Sequence, residues 1–532
     1  MIPIGETRDG RADMTNFEMD LLDTRVHNYP PDQKDGDSCC QNSIVKPACL
    51  PITIVAILLM ITFLMPIFND DLEMTMAFEK TGVCSENCLL KVVESIPTNL
   101  TYDSGPKNEK THEAWLDLLR SAEKSIRIAS FYWTLRDSSG YPTSVEGQKV
   151  FDELVNAGKR GVRIQIVQNK PSKAFPQTDS AELAEQKLAE VRSIDFFKLF
   201  GSGVLHTKFM IIDEKHVYVG SANMDWRSLT EVKELGVVLQ NCSCMAIDLQ
   251  KIFVVYWRVA ENSALIPEPW PLNLRTKFNH EHPLNISYNG QLMQSFISVS
   301  FYLQVRLVLP QQFNAKGRDH DLTAIEYVIG QAKEYVRVAV MDYIPSTLYM
   351  GVEKNYYWGH LDTALRAAAF RGVRVDLLIS QWNYSRPEML GYLKSMLEIN
   401  SVLPLHAGGR RGQTNVKLFT VPSSQAQKQI DHGRVNHNKY MVTDRAAYPT
   451  TSSQRPALAS YFKRLSHQRL SIISMMFLSV IGALRMQVFC AEIIEWTAFG
   501  LKHCFDIEII HSSLLNWGIR KYHFYYGYQL CA

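Results

Sequence analysis

The sequence predicts an α/β fold made of two similar domains and preceded by a single transmembrane helix. Three observations lead to this expectation. Apolar β-type runs alternate with helical stretches from about residue 90 onward, as in α/β folds. A set of short segments occurs twice in the same order. An uncharged run of 21 residues stands near the N-terminus.

The overall charge gives little information about binding partners. The 532 residues contain 56 Lys and Arg against 54 Asp and Glu, which leaves a net charge of +2. This balance excludes a global basic field, so any nucleic-acid binding needs a local cleft.

The uncharged run extends from Ala48 to Phe68, and as a helix it would cover the hydrocarbon core of about 30 Å. A cleaved signal peptide is less favoured, because 47 mostly polar residues precede the run and it exceeds the apolar part of such a peptide. Lys46 precedes it and three acids follow within 70–73, which predicts a cytosolic N-terminus. We therefore expect a disordered cytosolic tail at 1–47, a transmembrane helix at 48–68 and a type II orientation.

Glycosylation sequons and cysteines agree with a luminal body. Sequons of the form Asn-x-Ser/Thr occur after the uncharged run and not before it, at Asn99, Asn241, Asn285 and Asn383. Two cysteine pairs lie in the same part, Cys84 with Cys88 and Cys242 with Cys244. In an oxidising compartment we expect disulfides between the two pairs, with a four-thiolate zinc site as the alternative. Near the membrane, palmitoylation and free thiols are both open for Cys39, Cys40 and Cys49.

The internal repeat has two structural segments. The first, Ala122–Ala129, is matched by Ala332–Ala339, and each runs from a helix end into an apolar strand. The second, Arg160–Ile164, is matched by Arg371–Val375 at nearly the same distance downstream. We therefore expect each half to contain the same unit.

A third repeated segment carries chemical groups. His206, Lys208 and Asp213 form an H-x-K-x4-D motif, which recurs downstream at His437, Lys439 and Asp444. In a strand, residues i and i+2 share a face, so each histidine points with its lysine. Metal binding does not suit this pair, because a protonated lysine offers no lone pair. A serine hydrolase is poorly supported, because the body contains no G-x-S-x-G elbow.

Two His–Lys pairs suit a phosphodiester. Two ammonium groups offset the charge of the phosphate oxygens, two imidazoles divide the nucleophile and acid roles, and neither a metal nor another cofactor is required. Ser221 and Asn223, in Gly-Ser-Ala-Asn, are candidates for binding phosphate oxygens. Glu234 is a candidate for orienting an imidazole, with a solvated surface acid as the alternative.

These motifs resemble the phospholipase D superfamily, and in particular its type II endolysosomal branch, which comprises phospholipase D types three and four. The resemblance covers roughly residues 50 to 448. The segments that carry it are Val92–Pro97, Ala129–Leu135, Gly203–Leu229, Asn241–Cys244 and Val435–Thr443.

The resemblance implies two pseudo-symmetric phospholipase D-like α/β domains that share one active site. It implies a phosphohistidine intermediate, with His206 as the nucleophile and His437 as the general acid. The expected activity is 5′-to-3′ exonuclease action on single-stranded DNA or RNA in the endolysosomal lumen, and the alternative is phospholipid phosphodiesterase or transphosphatidylase action. We also expect passage through the ER and Golgi, release of a soluble luminal form, and a homodimer.

The expected layout follows from the transmembrane segment, the repeat and the resemblance. It comprises a luminal stalk at 69–104, a first domain at 105–290, a linker at 291–320, an incomplete second domain at 321–448 and an atypical tail at 449–532.

The tail departs from the family pattern after Tyr448. Pro449–Gln454 stands where a second Gly-Thr-Ser-Asn-Trp is expected, and the apolar run 470–484 matches no expected element. An altered final exon, a second membrane or interfacial segment, and a divergent folded end are the alternatives. A catalytically silent membrane scaffold is accordingly a third functional hypothesis.

Overall fold

The computed structural model describes residues 81–102, 107–137, 140–200, 203–261, 270–299, 314–346, 357–450 and 458–464. The predicted tail at 1–47, the predicted transmembrane helix at 48–68 and most of 449–532 lie outside these residues. Among the described helices, none has the length and apolarity needed to span a bilayer.

The first half alternates strands and helices in chain order. Its elements are β1 (Val83–Ser95), β2 (Glu109–Lys110), α1 (Thr111–Arg120), β3 (Ser125–Ser130), β4 (Trp133–Thr134), α2 (Val145–Lys159), β5 (Arg163–Asn169), α3 (Thr178–Glu185), β6 (Ala189–Ile194), α4 (Phe196–Phe200), β7 (Phe209–Ile212), β8 (His216–Gly220), β9 (Met224–Asp225), α5 (Trp226–Thr230), β10 (Glu234–Gln240) and α6 (Ser243–Val259).

The second half repeats much of this series. Its elements are β11 (Leu284–Tyr288), β12 (Gln291–Val299), α7 (Asp321–Gln331), β13 (Tyr335–Val340), α8 (His360–Phe370), β14 (Arg374–Ser380), α9 (Glu388–Glu398), β15 (Gln413–Phe419), β16 (Tyr440–Thr443), β17 (Ala446–Pro449) and β18 (Leu458–Arg464). Short 3₁₀ turns lie at Pro142–Ser144, Leu272–Leu274, Ile399–Val402 and Gln427–Gln429.

The strands of the two halves follow the same spatial order. The first runs β6-β5-β3-β7-β8-β10-β1 and the second runs β15-β14-β13-β16-β17-β18-β12. In each half the first three strands are parallel and the later pairings are antiparallel. β11 pairs with both β1 and β12, so the two half-sheets form one continuous sheet. The α/β repeat that the sequence predicts is therefore present.

Three predicted boundaries need correction. Residues 83–95, assigned to a stalk, form β1 inside the sheet, where Cys88, Leu90 and Val92 alternate into the core. β12 lies in the predicted linker, and β18 lies beyond the predicted end of the second domain at residue 448. The cause is the same each time, because these strands pair with partners that are distant in the sequence.

The two halves also share a core. One continuous apolar cluster contains Leu90 and Leu239 from the first half together with Val336 and Val375 from the second. A second cluster fills the other face of the first half-sheet, where Trp115 of α1 packs edge-on against Tyr218 of β8. The halves are thus joined by buried apolar surface, and their common boundary is a fixed place for a site.

Two disulfides tie β1 to the start of α6. They join Cys84 to Cys244 and Cys88 to Cys242, across sequence separations of 160 and 154 residues. All four thiols of the alternative zinc site are therefore used in disulfides.

Candidate active site

The two H-x-K segments meet at the boundary of the halves. His206 and Lys208 precede β7, and His437 and Lys439 precede β16, which holds the same position in the other half. Backbone hydrogen bonds join the two halves here. Lys233 N–H donates to the Val435 carbonyl and His437 N–H donates to the Lys233 carbonyl, both at 2.9 Å.

A buried ion pair supports this junction. Arg434, three residues before His437, contacts the Glu231 carboxylate at 3.1 Å, and both side chains are almost fully enclosed. Glu231 also accepts a hydrogen bond from the Thr98 hydroxyl at 2.7 Å. The loop before the second motif is therefore held against the first half.

A pocket of about 580 Å³ lies at this junction. Five of the residues proposed from the sequence line it: His206, Asn223, Glu234, His437 and Lys439.

Each lysine is held by its own motif. Lys208 Nζ donates to the His206 carbonyl at 2.7 Å, and Lys439 Nζ donates to the His437 carbonyl at 2.6 Å. Lys208 Nζ also lies 3.2 Å from His206 Nδ1. The same contact in both halves places two ammonium groups beside two imidazoles, as the i, i+2 spacing predicts.

Glu234 of the first half holds the histidine of the second. The Glu234 oxygens lie 2.8 and 2.9 Å from His437 Nδ1, and the carboxyl group is fully buried. With Nδ1–H donated to the carboxylate, Nε2 is the ring nitrogen left for chemistry. The alternative of a solvated surface acid is therefore wrong.

Electrostatics at this pair keep the carboxylate ionised. Burial alone would raise the pKa of Glu234, but nearby His437 and Lys439 outweigh it, and the pKa is lowered. The pKa of His437 is lowered, chiefly by burial. Glu234 raises this pKa, but Lys439 and Lys208 add to the effect of burial, so the net direction is downward. His437 is thus protonated only at lower pH than an exposed histidine.

The serine and the asparagine of the Gly-Ser-Ala-Asn segment have different roles. Asn223 lines the pocket, and its amide oxygen is buried with no hydrogen-bond partner among the described residues. Ser221 does not line the pocket. Its hydroxyl exchanges hydrogen bonds with the backbone of Leu235 at 3.2 and 3.1 Å, which corrects its proposed role in binding phosphate.

Ser228 lines the pocket instead of Ser221, although the sequence analysis assigned it no role. Its hydroxyl donates to Glu234 at 3.1 Å and accepts the Asn223 N–H at 3.2 Å. The signal available in the sequence is Asp225, which caps α5 by accepting the Arg227 N–H and so fixes where Ser228 lies.

The two motif aspartates are not in the pocket. Asp213 follows β7, at the opposite end of that strand from Lys208, and accepts the backbone N–H groups of Glu123, Lys124 and Ser125 at 2.7–2.8 Å. Asp444 likewise accepts two N–H groups before β13, at 3.0 and 3.1 Å. Both fix the start of a neighbouring strand, which corrects their assignment as catalytic residues.

Aromatic side chains line the pocket on two sides. The first group, called here the inner wall, comprises Phe131, Tyr132 and Phe175 of the first half. The second, called here the outer wall, comprises Trp382, Tyr384 and His432 of the second half.

A hydrogen-bonded chain links the two walls. The Tyr132 hydroxyl donates to Asp225 at 2.7 Å, and Arg227 Nε contacts both Asp225 oxygens at 3.0 Å. Arg227 then reaches across the boundary to the Asp431 carbonyl at 2.8 Å, and the Asp431 carboxylate accepts the Tyr384 hydroxyl. The positions of the walls are thus coupled to one another.

The proposed glycosylation sites have different environments. Asn99, Asn241 and Asn383 are exposed. Asn285 lies within β11, is half-buried, and has an enclosed side-chain oxygen. Three of the four sequons are therefore accessible for a glycan.

Comparison with known proteins places the chain in a family. Residues 103–422 match the family model described as "PLD3/4, PLD-like domain". The chain belongs to this family. Its site, where both histidines and Lys439 line one pocket and Lys208 contacts His206, has the composition of a phosphodiesterase of the phospholipase D superfamily.

Relatives of this PLD3/4 family member match most of its length. Probable phospholipase D F09G2.8 of Caenorhabditis elegans is 43% identical over 470 residues, covering 85% of this chain and 82% of that protein. The 5′-3′ exonuclease PLD3 of Xenopus tropicalis is 41% identical over 397 residues, covering 73% and 76%. The protein of the same name from Homo sapiens is 40% identical over 388 residues, covering 72% and 75%.

Proposed function

We propose that this protein is a 5′-to-3′ exonuclease that hydrolyses single-stranded DNA or RNA through a phosphohistidine intermediate. The observation that carries the proposal is one pocket lined by His206, His437 and Lys439. Lys208 contacts His206, and Glu234 fixes the His437 tautomer. The PLD3 relatives named as 5′-3′ exonucleases support the substrate class.

Catalysis has two steps in this proposal. First, Nε2 of His206 attacks phosphorus, the bond to the leaving oxygen breaks, and His437 gives that oxygen a proton. Second, water attacks the phosphohistidine, the neutral His437 takes the water proton, and the P–N bond breaks to restore His206. Lys208 and Lys439 offset charge on the non-bridging oxygens in both transition states, so the chemistry requires no metal.

The pocket lining favours a nucleic acid over a phospholipid. Planar bases stack on aromatic side chains, and such stacking does not depend strongly on sequence. The outer wall also carries an imidazole, a hydroxyl and the adjacent Asp431 carboxylate, which suit a wet surface and not acyl chains.

We also propose a luminal, endolysosomal location for the described part of the chain. Two disulfides are typical of an oxidising compartment, and three exposed sequons are consistent with it. Membrane anchorage and homodimer formation stay predictions from the sequence.

The test is nucleotide release from a 5′-hydroxyl single-stranded oligonucleotide at mildly acid pH, with chelator present, using the purified full chain. We expect mononucleotides to appear from the 5′ end and to disappear with His206→Ala. Release that persists in a folded His206→Ala variant contradicts the mechanism. Turnover of phospholipid vesicles without any nucleotide release moves the function to lipid chemistry.

A further inference from the structure

The two aromatic walls differ in how far their faces are available. Phe131 and Tyr132 of the inner wall are each only 8% exposed, whereas Tyr384 of the outer wall is 52% exposed. The His432 side chain is 51% exposed. The outer wall is therefore the surface on which a ligand ring has room to lie.

The inner wall is already occupied by its own packing. Phe131 lies 4.9 Å from the His206 ring and 5.3 Å from Phe175 between centroids, and Lys208 Nζ is 5.6 Å from its centroid. Tyr132 stacks on Phe175 at 4.4 Å. These rings support the catalytic histidine and have little free surface.

The rings of the outer wall also pack on one another, but Tyr384 and His432 keep far more exposed surface than the rings of the inner wall. Trp382 and Tyr384 meet edge to face, with centroids 4.9 Å apart and planes inclined by 67°. Tyr384 and His432 lie 4.9 Å apart at 32°. About half of the surface of Tyr384 and of His432 stays exposed despite these contacts, and both residues line the pocket.

The outer wall is held in place although it is exposed. Its central hydroxyl, on Tyr384, is bonded to Asp431, and the Asp431 backbone is held by Arg227 from the other half. A ring fixed before the ligand arrives loses less conformational entropy on binding.

Charge decides which part of a nucleotide suits the outer wall. The Asp431 carboxylate lies 3.6 Å from His432 and contacts Tyr384, so a phosphate at this wall would meet a negative group. The phosphate instead suits Lys208 and Lys439, the lysines of the two motifs. The neutral, planar part of the substrate is left for the outer wall.

We propose that Trp382, Tyr384 and His432 form a subsite that stacks a nucleobase of the strand next to the phosphodiester being cleaved. This inference rests on the proposed function and adds where the substrate is recognised. In this proposal the protein recognises a base of the substrate as well as its phosphodiester.

The test compares normal and abasic oligonucleotides with the full chain and its Tyr384→Leu variant. Each abasic strand carries one tetrahydrofuran residue at the first, second or third position from the 5′ end, so its backbone is unchanged. Tyr357→Leu is the matched control, because Tyr357 is also exposed and also hydrogen-bonded to an aspartate, Asp362, but lies outside this pocket.

We expect an abasic residue at one position to lower wild-type kcat/KM by about 10-fold or more, the effect of one lost base stack. Tyr384→Leu should lower kcat/KM on the normal strand by a similar factor and cause no further loss on that abasic strand. Tyr384→Phe keeps the ring and should lose less than Tyr384→Leu. His432→Leu gives a second measurement on the same wall if Tyr384→Leu folds poorly.

Equal losses on normal and abasic strands would overturn the subsite, since they indicate a structural effect of the substitution. Indifference of the wild type to abasic residues at all three positions would also overturn it, while leaving the exonuclease activity intact. A folded wild type that releases no nucleotide from any strand refutes the proposed function itself, and the subsite with it.

Discussion

Replacement of Glu234 by glutamine removes the charge beside His437 and keeps the shape of the side chain. The glutamine oxygen can still accept the Nδ1–H bond that Glu234 accepts at 2.8 Å. The main change is therefore electrostatic. Without the carboxylate, the imidazolium form of His437 loses its stabilising partner while the two lysines remain, so the pKa of His437 must fall further.

The size of this shift follows from the burial of the pair. A hydrogen bond to a charged group contributes about 1.5–3 kcal/mol, which corresponds to about 10-fold to 100-fold in an equilibrium constant. We expect the protonated form of His437 to become less favourable by such a factor, so its pKa falls. If His437 is the general acid, activity is lost as pH rises through its pKa, so this alkaline limb moves to lower pH.

The assay is the pH dependence of kcat/KM for nucleotide release by wild type and Glu234→Gln. Glu231→Gln is the matched control, because Glu231 is also buried and lies three residues earlier, but it pairs with Arg434 instead of a catalytic histidine. This control should lower thermal stability without moving the alkaline limb. An unmoved alkaline limb in Glu234→Gln would refute the reasoning, and movement of the acid limb alone would make His437 the nucleophile.

Three further changes probe the structure around the site. Asp213→Ala leaves three backbone N–H groups without their acceptor, so chemical denaturation should show a loss of about 3 kcal/mol with little change in kcat of the folded enzyme. Burial raises the pKa of Asp321 from 3.8 to about 6, so this carboxyl should stabilise wild type by roughly 2 kcal/mol more at pH 4 than at pH 7, and the unfolding free energy of Asp321→Asn should lack this contribution. Replacing Cys88 and Cys242 by serine should lower the unfolding free energy by about 2–5 kcal/mol.

Each expectation has a contrary outcome. A large loss of kcat at unchanged stability would return Asp213 to the catalytic groups. A carboxyl whose pKa is raised in the folded state favours that state at low pH. The prediction for Asp321 is therefore contradicted if the unfolding free energy increases from pH 4 to pH 7 in wild type but not in Asp321→Asn. If the serine variant and wild type melt at the same temperature under oxidising conditions, the Cys88–Cys242 disulfide does not stabilise the fold as expected.

The chemistry of the site was predictable where it is local in the sequence. The i, i+2 spacing placed each histidine with its lysine, and the repeat predicted two such pairs. The aspartate of each motif was misassigned, because a sequence motif does not show that the four residues of β7 separate Asp213 from Lys208 by roughly 16 Å. The two parts of the motif lie at opposite ends of the strand, and this becomes clear only when the bounds of β7 are known.

The parts that could not be predicted depend on distant pairings. β1 has the alternation of a strand, but its partners β10 and β11 lie far along the chain, and its place after the predicted transmembrane segment favours a stalk in a prediction from sequence. The outer wall combines Trp382 and Tyr384 with His432, which only the fold brings together. Exposed aromatic residues on two loops give no signal in the sequence that they face one pocket.

The central position of β1 affects the order in which the protein is made. This strand is synthesised first among the described elements, yet β10 is completed only after roughly 145 more residues, or about 7–30 s of translation. During that interval the apolar face of β1 has no partner strand. Cys84 and Cys88 also remain free thiols, because their disulfide partners Cys244 and Cys242 have not yet been synthesised. A ribosome that pauses before residue 240 therefore prolongs the period in which these thiols can form a wrong bond, and the yield of native protein depends on the pace of synthesis as well as on the final stability.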